Sequence, residues 1–299
     1  MKLTGLHLLL TYECNFECDH CFVWGSPQNT GTMTLGNIRT ILRQAQDLGT
    51  VEWIYFEGGE PFLYYPILVR GVEEAVQRGF KVGIVTNGYW ATAPEDALLW
   101  LKPFAGKVED LSLSSDLLHW DEKISRQTKN GLAAAEELMI PTGIITILKA
   151  GELGGQEAQG QLPIGESYVM HRGRAAEKLV EGLPRRSWTD FAECPHEDLR
   201  EPGRVHIDPL GHVHICQGIS LGNLFQSDLT AICAHYDPDA HPITGPLSAG
   251  GPAELVRRYG LSHEEGYVDA CHLCYTARVK LRRRFPKVLA PDQMYGLVA

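Results

Sequence analysis

The sequence predicts an α/β protein built on a parallel sheet, followed by a smaller cysteine-rich α+β segment. Three observations carry this reading. Strand-like and helix-like segments alternate over the first half at roughly 30-residue spacing, which demands right-handed crossovers between parallel strands. That alternation stops near residue 150, and from about residue 184 the chain becomes richer in Pro, His and Cys. A closed or partial barrel and a doubly wound sheet both satisfy the alternation.

"LHLLLTY" (6–12) reads as a buried strand, and "VEWIYFEGG" (51–59), "KVGIVTNG" (81–88), "VEDLSLSS" (108–115) and "PTGIITIL" (141–148) follow it. Helical patterns occupy the intervals at 35–49, 65–79, 94–104 and 121–138, with Thr34, Thr92 and Asp121 as N-caps for the first, third and fourth. The Gly- and Gln-rich run 150–165 reads as a long loop, and 166–180 supplies a sixth strand and helix. "RVHIDPLGHVHIC" (204–216) alternates on either side of Pro-Leu-Gly, a hairpin that places His206, His212 and His214 on one face.

Composition narrows the setting. A hydrophobic share of 44% with 21% charged residues suits a globular enzyme of 299 residues. The net charge of −10 argues against nucleic acid as a partner, and no apolar run approaches the roughly 20 residues of a membrane span. The apolar stretch near the N-terminus is too short for a secretory signal. A cytoplasmic protein is expected, and in that reducing compartment eight cysteines point to metal binding or catalysis.

Cys14, Cys18 and Cys21 form a C-x3-C-x2-C pattern just after the first strand, where loops at the C-terminal end of a parallel sheet build sites. A structural zinc site wants four protein ligands. A cubane iron–sulfur cluster on three cysteines leaves one iron for an exogenous ligand. The pattern resembles that of the radical S-adenosylmethionine (SAM) enzymes, and further positions agree in order. "EGGEP" (57–61) ends the second strand and resembles the family's glycine–glycine–glutamate motif. "TNG" (86–88) ends the third, and "SLSSD" (112–116) the fourth.

The resemblance implies a partial (β/α)6 TIM-type barrel to residue 183. It further implies a [4Fe–4S] cluster on Cys14, Cys18 and Cys21, and SAM chelated to the open iron. Reductive cleavage of SAM then yields a 5′-deoxyadenosyl radical that abstracts hydrogen from substrate. Gly58 and Gly59 are expected to let the backbone approach the ligand, and Glu60 to offer a carboxylate to its ammonium group. Asn87 sits at the same rim. Ser114 and Arg126 are carried over as holders of the SAM carboxylate, although "SSDLLHW" departs from the usual run. His20 and Phe22 flank Cys21, near where the family places an aromatic against adenine. No catalytic residue is assigned.

Cys194, Cys216, Cys271 and Cys274 form a second set, able to close a cubane cluster or a tetrahedral zinc site. Several radical SAM subfamilies carry an auxiliary cluster in a C-terminal extension. The long form, SPASM, continues with more cysteines; none follows Cys274, which fits the short, twitch form over 184–299. The run "RGRAAE" (172–177) also resembles these subfamilies. Cys233 reads as a buried structural thiol.

The expected activity is a radical SAM oxidation, such as dehydrogenation or crosslinking, of a small molecule or peptide, with flavodoxin or ferredoxin as electron donor. Thirteen residues precede Cys14, so no leader-binding domain is expected there and a small molecule is favoured. The alternatives are a peptide maturase using a separate recognition partner, and a non-enzymatic electron-transfer or zinc-stabilised binding protein.

Overall fold

The computed structural model describes residues 1–149 and 165–297. The first half runs β1 (Gly5–Thr11), α1 (Leu35–Leu48), β2 (Trp53–Gly58), α2 (Tyr65–Gln77), β3 (Lys81–Thr86), α3 (Pro94–Leu101), β4 (Asp110–Ser114), α4 (Arg126–Glu137), β5 (Thr142–Leu148), β6 (Gly165–Tyr168) and α5 (Ala175–Lys178). There follow β7 (Arg186–Ser187), β8 (Arg204–Ile207), β9 (His212–Cys216), β10 (Ile219–Asn223), α6 (Leu229–His235), α7 (Thr244–Tyr259), β11 (Gly266–Tyr267) and α8 (Ala270–Leu281). The loop expected at 150–165 lies, but for its last residue, outside the described residues.

Strands β1 to β6 pair in chain order and in parallel, forming the partial TIM-type barrel. β1 shows why. Leu6, Leu8 and Leu10 alternate onto one side and pack with Ile38, Ile41 and Leu42 of α1, while Leu9 joins a second core with the C-terminal half. Every residue of β1 is buried, as expected of a central strand covered on both faces.

The hairpin forms where expected but does not stand apart. β8 pairs in parallel with β1, so β8, β9 and β10 extend the barrel sheet to nine strands. Packing is therefore continuous across residue 183. The N-terminal ammonium donates to the carbonyl of Cys233, itself buried in the barrel-side core. Among the described residues no helix is long and apolar enough to cross a membrane.

Two caps differ from expectation. Thr34 caps α1 through a reciprocal box with Asn37. Thr92 instead bonds the Asp96 carboxylate, and Ala93 is the residue before α3. α4 begins at Arg126 rather than near 121, because Ser125 accepts from the Thr128 N–H and ends the loop.

Candidate active site

The loop after β1 is tied down before it reaches the cysteines. Cys14 donates its N–H to Ser26, and the loop's turns bring Cys14, Cys18 and Cys21 to one cavity at the C-terminal ends of β1 to β4. The N–H groups of Phe16 and Gly25 point at Sγ of Cys14 and Cys21, at 3.4 and 3.2 Å. All three thiols are free. Burial pushes the Cys14 thiol up to about 12 and raises Cys18 and Cys21 too, with neighbouring thiols adding to the rise for Cys14 and Cys18. Thiolates gathered in such a place call for a cation. Three soft donors from one loop fit a cubane cluster with one open corner; Glu57 and His119 also line the cavity.

Gly58, Gly59, Asn87 and Ser114 line the same cavity. Asn87 Nδ2 donates to Asn15 Oδ1 at 2.9 Å and approaches Cys14 Sγ at 3.8 Å. The two glycines have a further reason for being there. A Cβ on Gly58 would meet the Thr11 carbonyl at 2.5 Å, and one on Gly59 would lie 2.6 Å from the Glu13 carbonyl carbon. These residues let β2 press against the backbone leading to Cys14, besides baring the cavity wall.

Glu60 is a correction. It does not line the cavity, is fully buried, and accepts from Phe62 N–H (3.0 Å), Thr86 Oγ1 (2.8 Å) and Asn87 N–H (2.8 Å). Burial still outweighs these donors and holds its carboxyl up at about 7. Its work is to lock the ends of β2 and β3 together. Glu60→Gln presents an amide N–H to one of these donors, so a loss of about 2 kcal/mol is expected in denaturant unfolding.

Arg126 is a second correction. It is exposed at the first turn of α4 and does not line the cavity, because the Ser125 cap fixes where that helix begins. The loop before it uses Asp116, which the sequence reading passed over. Asp116 accepts from the N–H groups of Leu118, His119 and Ile147 and bonds His119 Nδ1 at 2.9 Å. His119 reaches the cysteine cavity.

His20 and Phe22 face a neighbouring chamber rather than the cysteine cavity. The His20 ring meets His119 edge-on at 4.6 Å. Burial, reinforced by His119, depresses His20 to about 3, so it is a neutral imidazole.

The second cysteine set also converges. Cys194 from a loop, Cys216 at the end of β9, and Cys271 and Cys274 from the first turns of α8 surround one pocket with Arg172 and Arg278. Burial, then Cys216 and Cys274, pushes Cys194 up to about 12. Four thiols with two guanidiniums fit a closed four-thiolate centre whose negative charge the arginines offset. Cys233 lies elsewhere, in α6.

The run "RGR" connects the two sites, a role that sequence reading missed. Arg174 donates to the carbonyls of Cys18 (2.7 Å) and Gly25 (2.9 Å) and lies over Trp24. Arg172 donates to Cys216 Sγ (3.1 Å) and Glu197 (3.2 Å). Gly173, at φ +61°, passes so close to Cys21 that a Cβ would sit 2.6 Å from its carbonyl oxygen. Two arginines two residues apart in a turn against Cys21 were the available signal.

The Radical SAM superfamily model matches residues 8–148, which hold the first cysteine set and "EGGEP". Residues 8–148 are a radical SAM domain. Among similar proteins, an S-adenosylmethionine-dependent nucleotide dehydratase of Selenomonas ruminantium is 33% identical over 114 residues, 38% of this chain and 39% of that one. The putative peptide biosynthesis protein YydG of Bacillus subtilis is 33% identical over 81 residues, 27% and 25% of the two chains. This radical SAM chain thus spans well under half the length of these relatives. Streptococcus suis SuiB bound to S-adenosylmethionine aligns with a TM-score of 0.49 at 14% identity, covering 90% of this chain and 77% of that one. The matched segment of the radical SAM chain ends before the second cysteine set, whose geometry therefore stands by itself.

Proposed function

We propose that this radical SAM enzyme cleaves SAM reductively and oxidises a small-molecule or peptide substrate held between its two cysteine sites. The convergence of Cys14, Cys18 and Cys21 on a cavity shared with Gly58, Gly59 and Asn87 carries the reading. Bound there, a [4Fe–4S] cluster and SAM supply an electron and a 5′-deoxyadenosyl radical that removes hydrogen from substrate.

The protein's part is to hold, orient and exclude. The three cysteines would bind three irons, and Arg174 keeps their loop in shape. Ser114 and Asn87 offer polar atoms at the cavity wall. Next to it lies a chamber lined by His20, Phe22, Glu57, Ser167, Arg172 and His206, and Glu57 lines both spaces. Arg172 in turn lines the chamber and the second cysteine pocket. A substrate in the chamber would therefore touch walls common to both sites, which supports a twitch-like role for 184–299. A four-cysteine auxiliary cluster leaves no open iron and suits acceptance of the electron left after hydrogen abstraction. The peptide-linked name of YydG and the nucleotide-linked name of the dehydratase leave both substrate classes in the reading. Flavodoxin or ferredoxin would deliver the first electron.

Anaerobically reconstituted protein incubated with SAM and dithionite is expected to release 5′-deoxyadenosine. The Cys14→Ala, Cys18→Ala, Cys21→Ala variant should release none. Equal product from both, or no product from wild type with its first cluster filled, sinks the reading. Iron and sulfide near about eight each per chain support two cubane clusters, whereas about four iron with one zinc makes the second site structural.

A further inference from the structure

Strands β8, β1 and β2 lie side by side, and each turns one polar side chain toward a common point. These are His206, His7 and Glu57, with His7 and His206 paired in register. All three are buried, at 8%, 3% and 6% exposure. His7 Nδ1 lies 3.4 Å from one Glu57 oxygen, and His206 Nε2 lies 3.0 Å from the other. The three donor atoms fall within 4.8 Å of one another.

Proximity here is not hydrogen bonding. His7 Nδ1 and Glu57 Oε1 both lack a hydrogen-bond partner among the described residues, despite their short separations. Buried polar atoms left without partners cost about 1–3 kcal/mol each. Two such atoms meeting His206 Nε2 at one point are poorly placed for each other and well placed for a cation between them. Ligands held at roughly 2.0–2.2 Å around a tetrahedral ion stand about 3.3–3.6 Å apart; the His7–Glu57 separation of 3.4 Å falls in that range, and a small shift of the side chains brings the rest, all within 4.8 Å, to it.

Supporting contacts hold the His7 ring in this pose. It stacks on Tyr55 at 4.7 Å and 11°, and the Tyr55 hydroxyl donates to Asp110 at 3.0 Å. Gly83 gives Tyr55 its bed, since a Cβ there would lie 2.8 Å from the tyrosine ring carbon that bears the hydroxyl. Stacking of this kind fixes the plane of the His7 ring.

We propose that His7, Glu57 and His206 form a third metal site, binding one divalent transition cation of the zinc or ferrous type. Two imidazoles and one carboxylate are donors for such ions and leave coordination positions open. Glu57 and His206 line the chamber, so an open position would face it and take an oxygen or nitrogen of the bound substrate. That last role rests on the proposed function; the metal site itself does not.

Zinc is the probe. Anaerobically reconstituted protein is equilibrated with zinc chloride, freed of excess by gel filtration, and assayed for zinc and iron by mass spectrometry. Glu57→Gln and His206→Gln are expected to hold about one zinc per chain less than wild type, with iron and sulfide unchanged. Cys271→Ser, Cys274→Ser should keep that zinc, which separates it from adventitious binding at the cysteines. His7→Phe keeps an aromatic ring to stack on Tyr55 and removes both ring nitrogens, the Nδ1 donor among them; it should behave as the other two do and serves where they fold poorly. Equal zinc in wild type and His7→Phe at equal iron overturns the proposal and leaves an imidazole–carboxylate network. Loss of 5′-deoxyadenosine formation bears on the radical reading alone and does not alter the zinc count.

Discussion

Arg174→Gln is expected to strip iron from the first cysteine site while the second retains its own. Arg174 is only 4% exposed, and its planar fork joins two carbonyls, of Cys18 and Gly25, on either side of Cys21. Without it, two buried carbonyls lose a charged donor and Trp24 loses the cation over its ring. Hydrogen bonds to charged groups contribute about 1.5–3 kcal/mol each, so a local loss of about 3–5 kcal/mol is expected. That suffices to let the cysteine loop open. Arg174→Lys should rescue little, because one ammonium cannot match the fork. The measurement is iron and sulfide per chain, with circular dichroism to show that the barrel persists. Full iron in Arg174→Gln would mean that the loop holds its shape through the cysteines and its own hydrogen bonds.

Gly59→Ala should be at least as damaging. The new Cβ would lie 2.6 Å from the Glu13 carbonyl carbon and 2.8 Å from the Tyr12 oxygen. Neither backbone can withdraw cheaply. Gly59 N–H donates to Thr11 at 2.7 Å, and Glu60 N–H donates to Glu13 at 2.9 Å. Overpacking against fixed backbone costs about 3 kcal/mol or more, and here the displaced segment leads into Cys14. Loss of first-site iron and a lowered unfolding midpoint are both expected. Gly79→Ala is the control. Gly79, unlike Gly59, has positive φ, +85°, but nothing lies within 4 Å of its Cβ, so Gly79→Ala should cost only about 1 kcal/mol and keep its iron. Should Gly59→Ala cost as little as Gly79→Ala and keep its iron, the backbone facing Gly59 yields and the close approach is not what requires the glycine.

Both predictions turn on contacts that no local pattern displays. The strands were legible because a doubly covered strand must be apolar along its length, as in "LHLLL". The first cysteine set was legible because its three donors lie within one loop, so spacing and chemistry appear together. The second set was legible only as residue types, since Cys194, Cys216 and the Cys271–Cys274 pair come from three separate segments.

Elsewhere a motif showed its residues but not their directions. Glu60 has the residue type of an ammonium ligand, yet the N–H groups of Phe62 and Asn87 and the Thr86 hydroxyl claim its carboxylate. Arg126 follows "SLSSD" at a suggestive distance, but Ser125 starts the helix there and leaves the arginine in solvent.

By itself the sequence determined the alternation of strands and helices and the three-thiolate loop. Each of these depends on neighbours a few residues away. Tertiary structure alone decided that β8 would pair with β1, bringing His206 beside His7 and Glu57. It alone decided that Arg172 and Arg174 would reach different cysteine sites from one turn. Those juxtapositions join residues up to about 200 positions apart, and side-chain direction follows from the buried partners each group must satisfy.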